Sequence, residues 1–347
     1  MTWELLSETL RLEHYNTRLV VFGVAFLGAT AGLVGSFLLL RKQSLLGDAL
    51  SHATLPGIGI AFAVMAAMGL SGKSLPGLLI GASITGLLGV LLVLAIRKTT
   101  RLKDDAAMGI VLSVFFGLGV AILKMVERIP GQSAAGLDGF IYGKTASMIW
   151  SDFVLIAIIL LITIIVTIAI LKELTLLCFD ADFASAQGWP TLWLDIILMA
   201  LVTAVTVIGL QAVGLILVIA FLITPPTAAR FWTNRLGCML FLSATIGAVS
   251  GWLGVSISAL YSNLPAGAII VITAAIIFLF SMIFGTARGI LPRYLRHLQL
   301  QRKVGRQHLL RSTYEILENT QNGEPLKNLP ISMDLLRKHR YWGKGEL

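Results

Sequence analysis

Apolar runs of about 20 residues, the length a helix needs to cross a bilayer, recur from residue 19 almost to residue 285. They fall at 19–40, 45–70, 76–96, 106–125, 148–171, 191–210, 212–229, 236–260 and 266–285, with charged or glycine-rich connectors between them. Open backbone cannot face lipid, so each run must be a helix or a break packed inside protein. The pattern predicts an all-α, polytopic membrane protein of about nine spans. Its shortest separator, Gly209-Leu210-Gln211-Ala212-Val213-Gly214, leaves open whether the sixth and seventh runs are two spans or one kinked helix.

Composition agrees. Hydrophobic residues make up 56% of the 347 positions and charged residues only 13%, which excludes an ordinary soluble domain. Cys178 and Cys238 have neither CxxC nor paired spacing, so no disulfide and no thiolate metal site is expected. The formal charge of +9 is concentrated in the connectors and the tail. Arg41 and Lys42, the cluster from Arg97 to Lys103, Lys172, Arg230 and Arg235, and the basic tail fall on one side of a nine-span arrangement. By the positive-inside rule that side is cytoplasmic, which puts the C-terminus inside and the N-terminus outside. The domains expected are an extracytoplasmic segment at 1–18, a transmembrane body at 19–286 and a basic cytoplasmic tail at 287–347. The tail reads as a juxtamembrane segment rather than a nucleic-acid-binding one. Within it, 307–318 and 331–337 read as two amphipathic helices around a loop with Gly323 and Pro325.

Candidate chemistry sits in the second run. His52 is the only histidine inside a long apolar stretch, and it follows Asp48 by four residues. That spacing stacks a carboxylate and an imidazole on one helix face. If the helix starts near Arg41, His52 lies about 16 Å in, near the bilayer centre. Ionisable groups there are costly and mark an ion path by default. An oxygen and a nitrogen donor suit manganese, zinc and other first-row divalent ions. Pro56-Gly57, Pro225-Pro226 and Pro265 are candidate helix breaks whose freed carbonyls could line a pathway. Asp104 and Asp105 read as an N-terminal helix cap, while Asp152 and Asp195 lie near span ends, interfacial or pore-lining.

Several segments in order resemble the permease subunits of ATP-binding-cassette importers for manganese, zinc and iron, the ABC-3 family. The stretch from Leu40 through Leu45-Leu46-Gly47-Asp48-Ala49-Leu50-Ser51-His52 to Ala53 carries the most specific likeness. Asp105-Ala106-Ala107-Met108-Gly109-Ile110, Ala135 to Gly143, and Leu222-Ile223-Thr224-Pro225-Pro226-Thr227-Ala228-Ala229-Arg230 are similar to further family segments. The resemblance covers roughly residues 18 to 286 and implies a type II importer fold in a bacterial cytoplasmic membrane. It also implies that Asp48 and His52 coordinate the passing metal. Phe179-Asp180-Ala181-Asp182-Phe183-Ala184-Ser185-Ala186-Gln187-Gly188 is similar to the family's coupling segment, which implies ATPase docking through Phe179, Asp180, Phe183, Ala184 and Gly188. The partners implied are a cytoplasmic ATPase that carries the ATP, a second permease copy or paralogue, and an extracytoplasmic metal-binding protein. The chain itself is expected to bind no cofactor, only its cargo of manganese, zinc or ferrous iron, with manganese favoured. In the tail, the two amphipathic segments look like the opening of a winged-helix extension.

Other classes fit less well. Ala67 to Ser74 satisfies a loose phosphate-loop pattern but joins two apolar spans instead of a strand and a helix, so nucleotide binding is not expected. The chain has no HExxH and no evident catalytic constellation, so it reads as a channel subunit and not an enzyme. A siderophore- or vitamin-type importer permease is the nearest confusable fold, and it would not need an Asp–His pair. An ATP-independent secondary carrier commonly shows inverted repeats, and none is evident.

Overall fold

The computed structural model describes residues 15–69, 74–127, 148–260 and 265–321. The helices, in chain order, are α1 (Tyr15–Leu40), α2 (Leu46–Ala53), α3 (Leu55–Ala67), α4 (Leu75–Thr99), α5 (Asp104–Val126), α6 (Trp150–Ala169), α7 (Leu171–Phe179), α8 (Ala181–Ala186), α9 (Thr191–Val213), α10 (Leu215–Trp232), α11 (Leu236–Leu260), α12 (Ala266–Phe284) and α13 (Ile290–Gln321). Among the described residues there is no strand. Nine spans among them are long and apolar enough to cross a membrane, the second formed by α2 and α3 together.

Glycine sets how these helices approach. α1 is the central helix, packed on α6, α9, α10 and α11. A Cβ on Gly28 would lie 2.3 Å from the Gly247 carbonyl oxygen, and one on Gly32 would lie 2.5 Å from that of Ser243. Small residues four apart on both helices thus let the backbones touch, and packing of this kind holds helices together where no hydrophobic effect can. The Ser243 hydroxyl donates to the Gly32 carbonyl across the same seam (2.7 Å).

The breaks fall where local chemistry dictates. α2 ends and α3 begins at Thr54, with Pro56 in the first turn of α3, where its missing N–H costs nothing. α9 and α10 are separate helices, divided at Gly214, whose φ of 87° favours glycine. α10, by contrast, runs through Pro225 and Pro226 without a break, contrary to the sequence reading. The Leu222 carbonyl that Pro226 deprives of a donor lies against Gly35 of α1, close enough that a Cβ there would sit 2.1 Å from the oxygen. Packing of the bare glycine shields the gap, so the helix need not open. Pro265 caps the start of α12 and interrupts no span.

The tail differs from its sequence reading. A single 32-residue helix, α13, begins at Ile290, well before the expected 307. Pro292 falls in its first turn, where a proline is tolerated. The second expected tail helix, at 331–337, lies outside the described residues, as do most of the segment at 1–18 and all of Ala135 to Gly143.

Candidate metal site

The two-residue turn after α1 aims the chain into α2. Gln43 N–H donates to the Leu38 carbonyl (2.9 Å) and Lys42 N–H to that of Leu39 (3.1 Å), with Lys42 in the left-handed region at φ 59°. These are the paired bonds of a helix C-terminal motif. α2 begins three residues further on, at Leu46, and Asp48 and His52 stand one turn apart on it.

Asp48 Oδ1 lies 3.3 Å from His52 Nε2. That separation is longer than the usual 2.7–3.2 Å of an N–H···O bond. Two donors about 2.0–2.2 Å from one ion, at an angle near 90–100°, would be about 3.0–3.3 Å apart. The two atoms are close enough for one cation to reach both, and close enough to contact each other directly. His52 Nδ1 is buried with no hydrogen-bond partner, and the ring stands edge-on to Phe116 of α5, with centroids 4.9 Å apart. The pair is not sealed in the core: the side chains remain 17% (His52) and 30% (Asp48) exposed. Phe116 beside it is exposed as well. Among the described residues no group of three or more His, Cys, Asp or Glu is positioned to hold a metal.

Beneath α2 a polar network ties several helices together. Arg41 forms an ion pair with Asp195 of α9. Arg97 Nε of α4 lies 2.9 Å from Asp104 Oδ1, and Gln43 Nε2 donates to Asp104 Oδ2 (3.1 Å). Asp104 is thus no cap: Lys103 holds the N-cap position, and the two aspartates stand in the first turn of α5, where they favour the positive end of the helix dipole. Burial pulls the Arg41 guanidinium below its ordinary value, and the neighbouring Arg97 charge acts the same way. Burial also pushes the Cys178 thiol up to about 11, with Arg41 opposing. Nothing in the sequence spacing announced this network, because its members come from four separate segments. Asp152 closes the first turn of α6 by accepting from Ile149 N–H (3.1 Å) and also accepts from Gln211 Nε2 (2.8 Å).

The segment expected to meet an ATPase, Phe179 to Gly188, runs from the last residue of α7 through α8. Asp180 caps α8 by accepting from Phe183 N–H (2.9 Å), and Gly188 ends it at φ 83°. Phe179 and Phe183 are exposed, so two aromatic rings stand uncovered on this connector. Ala184 is fully buried and is not exposed beside the two rings.

Residues 13–285 match the model of the ABC 3 transport family. The chain belongs to that family. It is 40% identical over 331 residues, 95% of its length and 73% of the relative's, to the "Manganese transport system membrane protein MntC" of Bacillus subtilis (strain 168). It is 43% identical over 282 residues, 81% of its length and 93% of the relative's, to the "Zinc transport system membrane protein TroC" of Treponema pallidum (strain Nichols). Among solved structures it resembles "PsaBC from Streptococcus pneumoniae in complex with Fab", with a TM-score of 0.70 and 32% identity over 85% of this chain and 99% of that one. The family match ends one residue after α12, so α13 lies beyond it.

Proposed function

We propose that this chain is the membrane permease of an ATP-driven importer for a divalent first-row metal, manganese first, with zinc and ferrous iron as competitors. The observation that carries the reading is the Asp48–His52 pair, 3.3 Å apart and partly open at the edge of the helix pack. Relatives named for manganese and for zinc transport support the same class. One carboxylate and one imidazole per chain make an oxygen-rich site once water completes the shell, which favours manganese over the nitrogen-preferring later metals.

The cargo ion binds between Asp48 Oδ1 and His52 Nε2, each of which replaces one water. Two ligands hold it weakly enough to leave, as conduction requires. A second copy of the chain meeting this open edge would add its own Asp48 and His52 and complete a four-ligand shell between subunits. The uncovered Phe179 and Phe183 suit a groove on a separate ATPase, since a short amphipathic helix seats by its apolar side chains. ATPase closure then moves the α7–α8 connector, and through Arg41–Asp195 the base of α2, so that the ion faces alternate sides.

The test is radiolabelled manganese uptake in liposomes holding the chain, its ATPase and ATP. His52→Ala should reduce uptake at least tenfold while the complex still assembles and hydrolyses ATP. Uptake at the unmutated level would sink the reading. Uptake by the chain alone, with neither ATPase nor ATP, would point instead to a secondary carrier.

A further inference from the structure

From Ile196 to Tyr314 the sequence contains no Asp or Glu, yet it carries nine Lys and Arg residues, among them Arg230, Arg235, Arg288, Arg293, Arg296 and Lys303. The fold gathers these charges at one end. Ala287 N–H and Arg288 N–H both donate to the Phe231 carbonyl (2.9 and 3.1 Å), and the Thr286 hydroxyl donates to that of Trp232 (3.1 Å). Arg288 Nε reaches Asn234 Oδ1 (3.0 Å), and Arg296 reaches back to the Thr286 carbonyl (3.2 Å). The base of α13 is thereby fastened to the ends of α10 and α12, where two spans leave the membrane. Among the described residues, no carboxylate pairs with Arg235, Arg288, Arg293, Arg296 or Lys303. All five are exposed.

The same helix carries an apolar stripe with no partner. Leu291, Tyr294, Leu295 and Leu298 recur at i, i+3, i+4 and i+7, on one face. The first three are 42–59% exposed. A cationic helix with one apolar face, anchored at the end of a span, has the build of an element that lies in the headgroup region of a bilayer.

We propose that α13, with the Arg235 and Arg288 connectors, is a docking surface for anionic phospholipid: the leucine face enters the acyl boundary of the leaflet on the tail's side and the arginines and Lys303 hold phosphate headgroups. Charge complementarity selects this occupant. Basic residues near an anionic surface are attracted to it, and no acid stands among them before Glu315 and Glu318 at the far end of α13. A second copy of the helix would bring like charge against like, and an unassociated protein surface would need a carboxylate array to match.

The test uses the full chain in bilayer nanodiscs, with Leu295→Cys carrying an environment-sensitive fluorophore in a Cys178→Ser, Cys238→Ser background. Discs of phosphatidylcholine alone are compared with discs containing a third phosphatidylglycerol. Quenching by neutral acrylamide should fall several-fold in the anionic discs. The protection should disappear near 1 M salt, where screening extends only about 3 Å, and in the Arg293→Gln, Arg296→Gln, Lys303→Gln triple variant. Hydrogen exchange across 290–311 in the unsubstituted chain should slow in anionic discs only, which removes dependence on the engineered cysteine. Equal quenching and equal exchange in both discs would overturn the proposal. So would protection that appears in both and ignores charge, or protection that requires added ATPase.

Discussion

A residue's partners decide what it does, and few partners are visible from spacing. Asp48 and His52 were legible because they lie on one turn of one helix; the edge contact with Phe116 was not, since it joins positions 64 apart in sequence. Cys178 shows the same limit. Its spacing showed only that no thiolate pair was present, yet burial pushes its thiol up to about 11 against the opposing charge of Arg41. The folded state therefore keeps the proton more tightly than the unfolded chain, whose thiol titrates near 9. This contribution to stability is complete below pH 9 and is lost as pH rises towards 11. At pH 8 Cys178 should stay a thiol and react slowly, because the thiolate is the nucleophile. Cys238 is exposed. Iodoacetamide at pH 8 followed by peptide mass mapping should find Cys238 modified well before Cys178, and Cys178 should catch up only as pH passes 10 or in denaturant.

At the level of elements, hydropathy located the spans within a few residues because membrane thickness fixes their length. What it missed was governed by packing between helices. Pro225 and Pro226 have the local signature of a break, but Gly35 shields the freed carbonyl and α10 continues. Gly214 has the weaker signature, and there the chain does break, because φ 87° ends one helix and starts the next. The Arg41–Asp195 pair links the α1–α2 turn to α9, and both side chains are largely buried, at 8% and 14% exposure. Removing one partner strands the other, a cost of about 3–5 kcal/mol for a buried pair. Arg41→Gln and Asp195→Asn should each lower the unfolding temperature in detergent markedly. Arg41→Leu combined with Asp195→Leu should recover most of that loss, since a matched apolar pair leaves no stranded charge. Additive losses in the double variant would show that the two residues do not act together.

For the whole molecule, two features change close to residue 285. The family match stops at 285, and the last membrane-length helix stops at Phe284. The sequence reading expected the transmembrane body to end at 286, from the change in hydropathy alone. It misjudged the start of the tail helix, because Pro292 is harmless in a first turn and a continuous helix forms through it. Asp48, His52 and the Arg41 network all precede α12 in the chain, and among the described residues no ion pair joins them to α13. A chain ending at Gly289 should therefore insert, retain manganese with an affinity within about twofold of the full chain by equilibrium dialysis, and support ATP-dependent uptake with its ATPase. A tenfold loss of manganese affinity in a truncated chain that still elutes as a single species would mean that α13 reaches the ion path, and that the separation drawn at the last span is wrong.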